Sequence, residues 1–117
     1  MKTIIAPTDF SPASLNAVNY AADMACVTNC ELLLLHIYPY PAMAADIPIA
    51  VYADDNNEAY QKEKLERLRE DLLLRTRDRI KITAKTDQGD ILVKIEEYCL
   101  LTNPYAVVLG PETAGRI

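Results

Sequence analysis

Apolar and polar positions follow two different periods along this chain, and the switches between them mark its elements. "KTIIA", residues 2–6, is a short apolar run rich in branched side chains, closed as a strand by Pro7, which has no N–H to give a sheet ladder. Ser11 and Pro12 then supply an N-cap and a proline at the first helical position. Leu15, Val18, Ala22 and Ala25 recur at helical spacing to about Thr28. "ELLLLHIY", residues 31–38, is nearly continuous in apolar residues between the breakers "TNC" and "PYP", which predicts a strand buried on both faces of a parallel sheet.

Residues 39–55, "PYPAMAADIPIAVYADD", form a long proline-punctuated connection, read either as a lid over a site or as a linker. From Asn57 to about Arg79 a charged helix is expected, with Leu65, Leu68 and Leu72 on one stripe. Glu58 and Lys62, Glu63 and Arg67, and Asp71 and Arg75 stand as acid-before-base pairs at i,i+4. "IKITAKT", residues 80–86, alternates strictly, as a strand near a sheet edge does. Gly89 and Asp90 open a helix carried by Ile91, Ile95, Tyr98 and Cys99, which Asn103 and Pro104 stop. "YAVVLG" is expected as a buried strand ending at Gly110. Alternation of this kind predicts an α/β fold: a parallel sheet with helices on both faces.

Composition narrows the classes of function. A length of 117 residues fits a single domain, residues 1–117, and half hydrophobic with a quarter charged is the make-up of an ordinary globular chain. A net charge of −5 repels phosphate backbones and anionic lipid, so neither nucleic acid nor membrane is expected as a partner. No apolar run nears the roughly 20 residues of a membrane helix, and the start lacks the apolar length of a signal peptide, so a cytoplasmic location is expected. Cys26, Cys30 and Cys99 are odd in number and lack zinc or disulfide spacing, which suggests small reduced thiols.

In open parallel sheets ligands bind outside the carboxyl ends of the strands. "APTDFS" and "LGPETAG" both lie there, so the strongest candidate crevice runs between Pro7–Ser11 and Gly110–Gly115. Asp9 has two readings: it accepts local backbone N–H bonds in the turn, or its carboxylate faces the crevice and accepts from an exocyclic amine or hydroxyl. Thr8 offers a hydroxyl beside it. His36, the single histidine, has no nucleophile or carboxylate nearby in sequence and reads as a hydrogen-bonded structural residue. Asp54 with Asp55, and Asp87 with Asp90, are paired loop acids that read as turn and capping residues ahead of a weak cation site. Neither a Walker lysine motif nor a Rossmann fingerprint occurs, no catalytic or metal-binding constellation stands out, and the acidic cluster and late lysine of a phosphoacceptor receiver are missing.

"TIIAPTDFSPASLNAVNYAADMA", "ELLLLHIY", "QGD" before an apolar helix, and "NPYAVVLG" come in an order that strongly resembles the universal stress protein family over nearly the whole chain. The resemblance implies a three-layer fold like that of the adenine nucleotide alpha hydrolases, with strand order 3-2-1-4 and the usual fifth strand missing, and a homodimer. It implies a non-enzymatic stress-response protein that requires no cofactor, with ATP or AMP as the candidate ligand. In nucleotide-binding members the acid of the first loop contacts the nucleoside, which corresponds to Asp9 with Pro7 and Thr8 beside it. Ile37, after the second-strand histidine, corresponds to the residue lining the adenine pocket, and Leu109 and Gly110 to those approaching the nucleotide.

The phosphate-wrapping pattern departs from that of the family. Thr113 stands where the second glycine belongs, Gly115 falls two places late, and the later glycine with serine or threonine does not occur before Ile117. Weakened or lost nucleotide binding is therefore expected. Without the last helix and fifth strand of the family, the fourth strand is expected as a bare edge that pairs with another copy.

Overall fold

The computed structural model describes residues 2–39 and 58–110. Strand β1 (Thr3–Pro7) leads to helix α1 (Pro12–Thr28), β2 (Glu31–Tyr38), α2 (Glu58–Thr76), β3 (Ile82–Gln88), α3 (Ile91–Thr102) and the short β4 (Ala106–Val107). The sheet runs in the order β3-β2-β1-β4, as expected, and all three pairings are parallel. The connection of residues 39–55 and the tail after Gly110 lie outside the described residues, apart from Pro39.

Helix boundaries follow their caps. Ser11 accepts from the Ser14 N–H at 3.2 Å and Pro12 occupies the first turn, where its missing donor costs nothing. At the other end Asn29 turns left-handed (φ 57°) and the Cys30 N–H reaches the Ala25 carbonyl at 2.9 Å. In α3 Asp90 accepts from Val93 N–H at 3.1 Å, and left-handed Asn103 closes on the Cys99 carbonyl at 2.8 Å. Helix α2 stops at Thr76, short of the expected Arg79, because Arg77 and Asp78 both take positive φ (54° and 58°).

The alternation of each strand feeds two cores. Ile4, Ala6, Leu32, Leu34 and Ile82 face α1 and α2, where Val18, Ala21, Ala22, Leu65 and Leu72 meet them. Ile5, Leu33, Leu35 and Ile37 face the other way, toward Ile95 with Ile91, Tyr98 and Cys99 of α3. β2 is thus buried on both faces, which is why its sequence is continuously apolar. Two expectations need correction. Asp71 and Arg75 do not pair: the Arg75 fork turns to α1 and grips both oxygens of Asp23 at 3.0 and 2.9 Å, a bidentate geometry that a same-helix neighbour does not offer. "YAVVLG" is a half-buried edge rather than a buried strand, because among the described residues β4 pairs only with β1.

Candidate functional site

β1, β2 and β4 deliver their carboxyl ends to the start of α1. Pro7 stands in register with Leu35, and the Thr8 N–H donates to the Leu35 carbonyl at 2.9 Å, so β1 stays anchored one residue past the proline. The loop beyond is tied by side chains. Thr8 Oγ1 accepts from the Phe10 N–H at 3.0 Å and from the Ser14 hydroxyl, Ser14 Oγ accepts from the Asp9 N–H at 3.2 Å, and Asp9 Oδ1 accepts from the Ser11 N–H at 2.9 Å. The local-turn reading of Asp9 is therefore realised through one carboxylate oxygen. Burial works against ionisation here, but the bonds from the Ser11 hydroxyl and the backbone outweigh it, and Asp9 is held below the ordinary carboxyl value of 3.8.

Phe10 has a positive φ of 65°, a conformation that costs a bulky residue about 1 kcal/mol or more. Its ring packs 4.6 Å from the His36 ring, and the Lys64 ammonium lies 4.4 Å from the Phe10 centroid. His36, 6% exposed, meets the Thr8 carbonyl through Nδ1 at 2.8 Å. A carbonyl only accepts, so Nδ1 carries the proton. Burial, opposed by the Thr8 carbonyl and Gln61, lowers the His36 pKa below 6.5 and keeps the ring neutral. Nε2 and the Thr86 hydroxyl, on register partners of β2 and β3, are buried without a partner in hydrogen-bonding geometry.

Gly110 closes the site from β4. A Cβ there would lie 3.2 Å from Ser14 Cα and 3.4 Å from Ser14 N, so the backbone that follows β4 rests directly on the first turn of α1. Pro7, Thr8, Asp9 and Gly110 thus converge on one helix start. Ile37 is buried in the layer beneath α3 with Leu109 packed against the same cluster, on the opposite sheet face from His36.

Sequence reasoning missed Ser14, which bonds Thr8 and Asp9 and bears on Gly110. A signal existed: Ser14 lies four residues before Val18 on the buried stripe of α1, a polar residue at a core position, and is 4% exposed. Asp90 caps α3, and Asp87 accepts from Gln88 N–H at 2.8 Å and from the Tyr98 hydroxyl at 3.1 Å, in line with the turn and capping roles expected of them. Asp54 and Asp55 lie outside the described residues. Among the described residues no three His, Cys, Asp or Glu side chains gather as a metal site, and no helix is long and apolar enough to cross a membrane. Cys30 is buried and Cys26 and Cys99 half-buried, all as free thiols.

A model of the universal stress protein family matches residues 1–115. The chain belongs to that family. No curated protein matches its sequence. Solved structures similar to this universal stress protein include a family member from Burkholderia pseudomallei (14% identity, 98% of this chain and 85% of that one, TM-score 0.74). UspA from Lactobacillus plantarum is similar at 20% identity over 92% of this chain and 75% of that one, with a TM-score of 0.75. A universal stress protein solved in complex with cAMP is similar at 21% identity over 92% of this chain and 74% of that one, with a TM-score of 0.65. At these identities the likeness establishes the fold, which agrees with the three-layer architecture and the strand order.

Proposed function

We propose that this universal stress protein is a non-enzymatic stress-response protein whose crevice around Asp9 and Gly110 holds an adenine nucleotide only weakly. The observation that carries this reading is the commitment of the crevice's own polar groups. The Thr8 hydroxyl is engaged by Ser14 and Phe10, and Asp9 Oδ1 by Ser11, so a nucleoside must compete for groups that already have partners. Thr113 stands where the family pattern has a glycine, and a side chain there hinders the close approach of backbone N–H groups to phosphate, from which much of the affinity at such sites derives. Pro7, Ile37 and Leu109 serve in this reading as apolar walls.

Calorimetric titration with ATP and AMP tests it. Dissociation constants above 1 mM, little changed by Asp9→Ala, are expected; submillimolar binding abolished by Asp9→Ala would overturn the reading in favour of an ATP- or AMP-binding module. That second reading draws support from the similar protein solved with cAMP. The proposal also includes a cytoplasmic homodimer that covers the β4 edge, beside which Leu100, Leu101 and Tyr105 are exposed. A monomer by light scattering at micromolar concentration would exclude the dimer.

A further inference from the structure

At the opposite edge of the sheet, β3 carries a short window of backbone left open among the described residues. Leu32 N–H donates to the Lys81 carbonyl at 2.9 Å and Gly89 N–H to the Tyr38 carbonyl at 3.0 Å, so the odd-numbered residues of this segment turn their polar groups toward β2. Ile82, Ala84, Thr86 and Gln88 therefore turn theirs outward. Both ends of that outward row are blocked. Arg69 Nε donates to the Ile82 carbonyl at 2.6 Å, and Asp87 Oδ1 accepts from the Gln88 N–H at 2.8 Å. Between them, the outward N–H and C=O groups of Ala84 and Thr86 have no backbone partner among the described residues.

A cleft of about 530 Å³ lies along this window, lined by Glu58, Lys62, Leu65 and Glu66 of α2, by Ala84–Asp87, and by Tyr98. Its rim charges are largely matched: Lys62 with Glu58 at 3.1 Å, Arg69 with Glu66 at 2.7 Å, and Lys94 with both Asp87 at 3.6 Å and Glu97 at 3.2 Å. Lys85, exposed at the centre of the window, takes part in no ion pair among the described residues.

We infer that the Ala84–Thr86 edge is a docking site for an extended peptide segment of another protein, which adds as a strand beside β3 and places an acidic side chain against Lys85. Main-chain pairing to Ala84 and Thr86 supplies the attachment, and Lys85 supplies the selectivity. A second copy of this chain is a poor occupant. A two-fold antiparallel pair centred on the window would set Lys85 directly opposite Lys85, and like charges at that position are destabilising. The blocked ends also restrict the ladder to a length far below what a stable dimer needs, about 1,200–2,000 Å² of buried surface. The lysine that discourages self-pairing is thus the feature that admits an acid-bearing strand.

The test uses two capped pentapeptides, Thr-Val-Glu-Val-Thr and Thr-Val-Lys-Val-Thr, titrated against the full chain by NMR with amide hydrogen exchange. The glutamate peptide is expected to shift and protect the Ala84 and Thr86 amides, at an affinity at least threefold above that of the lysine peptide. Lys85→Glu should reverse the order of the two peptides. Ala84→Pro removes an outward N–H without breaking a bond to β2 and should abolish binding; if it disturbs folding, the Lys85→Glu reversal decides alone. Absence of protection with both peptides, equal binding of the two, or protection of these amides that rises with protein concentration without peptide would each overturn the inference.

Discussion

The junctions that lead from β1 into α1 and from β3 into α3 are built from the same parts and held in opposite ways. Each has an aspartate accepting a nearby backbone N–H, a residue at positive φ, and a polar N-cap bonded three residues on: Asp9, Phe10 and Ser11 in the first, Asp87, Gly89 and Asp90 in the second. The first is then locked by neutral hydrogen bonds among Thr8, Asp9 and Ser14 and by backbone resting on backbone at Gly110. The second is closed by a long charged side chain, with Lys94 reaching Asp87 and Glu97. One junction holds a fixed shape at the carboxyl end of a central strand, where a crevice must be pre-organised; the other can adjust.

The two glycines sharpen this contrast most. A side chain at Gly110 meets the α1 backbone, which cannot move aside, so Gly110→Val should cost about 3 kcal/mol, as overpacking of a rigid contact does. At Gly89 an added Cβ meets only the Lys94 side chain, at 3.0 Å, and the remaining penalty comes from its φ of 147°. Gly89→Ala should cost about 1 kcal/mol. Urea denaturation of both variants measures the difference, and equal losses would refute the distinction between a fixed and an adjustable junction.

Ser14→Ala comes next. It deletes the acceptor of the Asp9 N–H and a donor to Thr8 at a buried position, and a loss of about 2 kcal/mol in urea denaturation is expected. Tyr98→Phe at the second junction removes a single half-exposed bond to Asp87 and should cost about 0.5 kcal/mol. A Ser14→Ala loss no larger than that of Tyr98→Phe would show that the first junction is held by packing alone.

What the sequence disclosed follows the same division. Element types, both N-caps and the strand order were legible because they rest on local pattern, such as Ser11-Pro12 or the unbroken apolar run of β2, and on a family resemblance over nearly the whole chain, most specific through residues 3–25. Bonds between elements were not. The proton of His36 goes to the backbone carbonyl of Thr8, an atom present in every residue and therefore without a sequence signature. Arg75 left its i,i+4 neighbour for Asp23 because the helices pack, which periodicity does not reveal. Within the site, Gly110 was legible as a close-approach glycine only in kind; that it seats on Ser14 required the fold.

His36 makes the first junction sensitive to acid. Its pKa in the folded protein is lowered by burial, although the Thr8 carbonyl, the Gln61 side chain and the nearby Asp9 charge favour the charged ring, so the unfolded chain binds this proton more readily. Stability should therefore fall as pH drops from just above 6.5 toward the depressed folded value, by at most about 1.4 kcal/mol per pH unit for one proton, and level off below it. Asp9 acts in a separate and lower window, where its depressed pKa lets stability fall as pH passes below 3.8. His36→Gln should remove the first slope and leave the second. Denaturation midpoints between pH 7.5 and 5 that fall equally in both proteins would place the proton elsewhere.

The smallest effect belongs to the charged closure of the second junction. Lys94→Ala breaks the contacts with Asp87 and Glu97, but these are partly solvated groups and the net loss should be about 0.5 kcal/mol. Because the attraction is screened, the difference between Lys94→Ala and wild type should shrink as salt rises from 0.05 to 0.5 M, over which the Debye length falls from roughly 14 to 4 Å. The difference between Ser14→Ala and wild type should stay constant over the same range, since neutral buried hydrogen bonds are not screened. A salt response of the same size in both variants would remove the physical basis for treating the two junctions as different kinds of hinge between strand and helix.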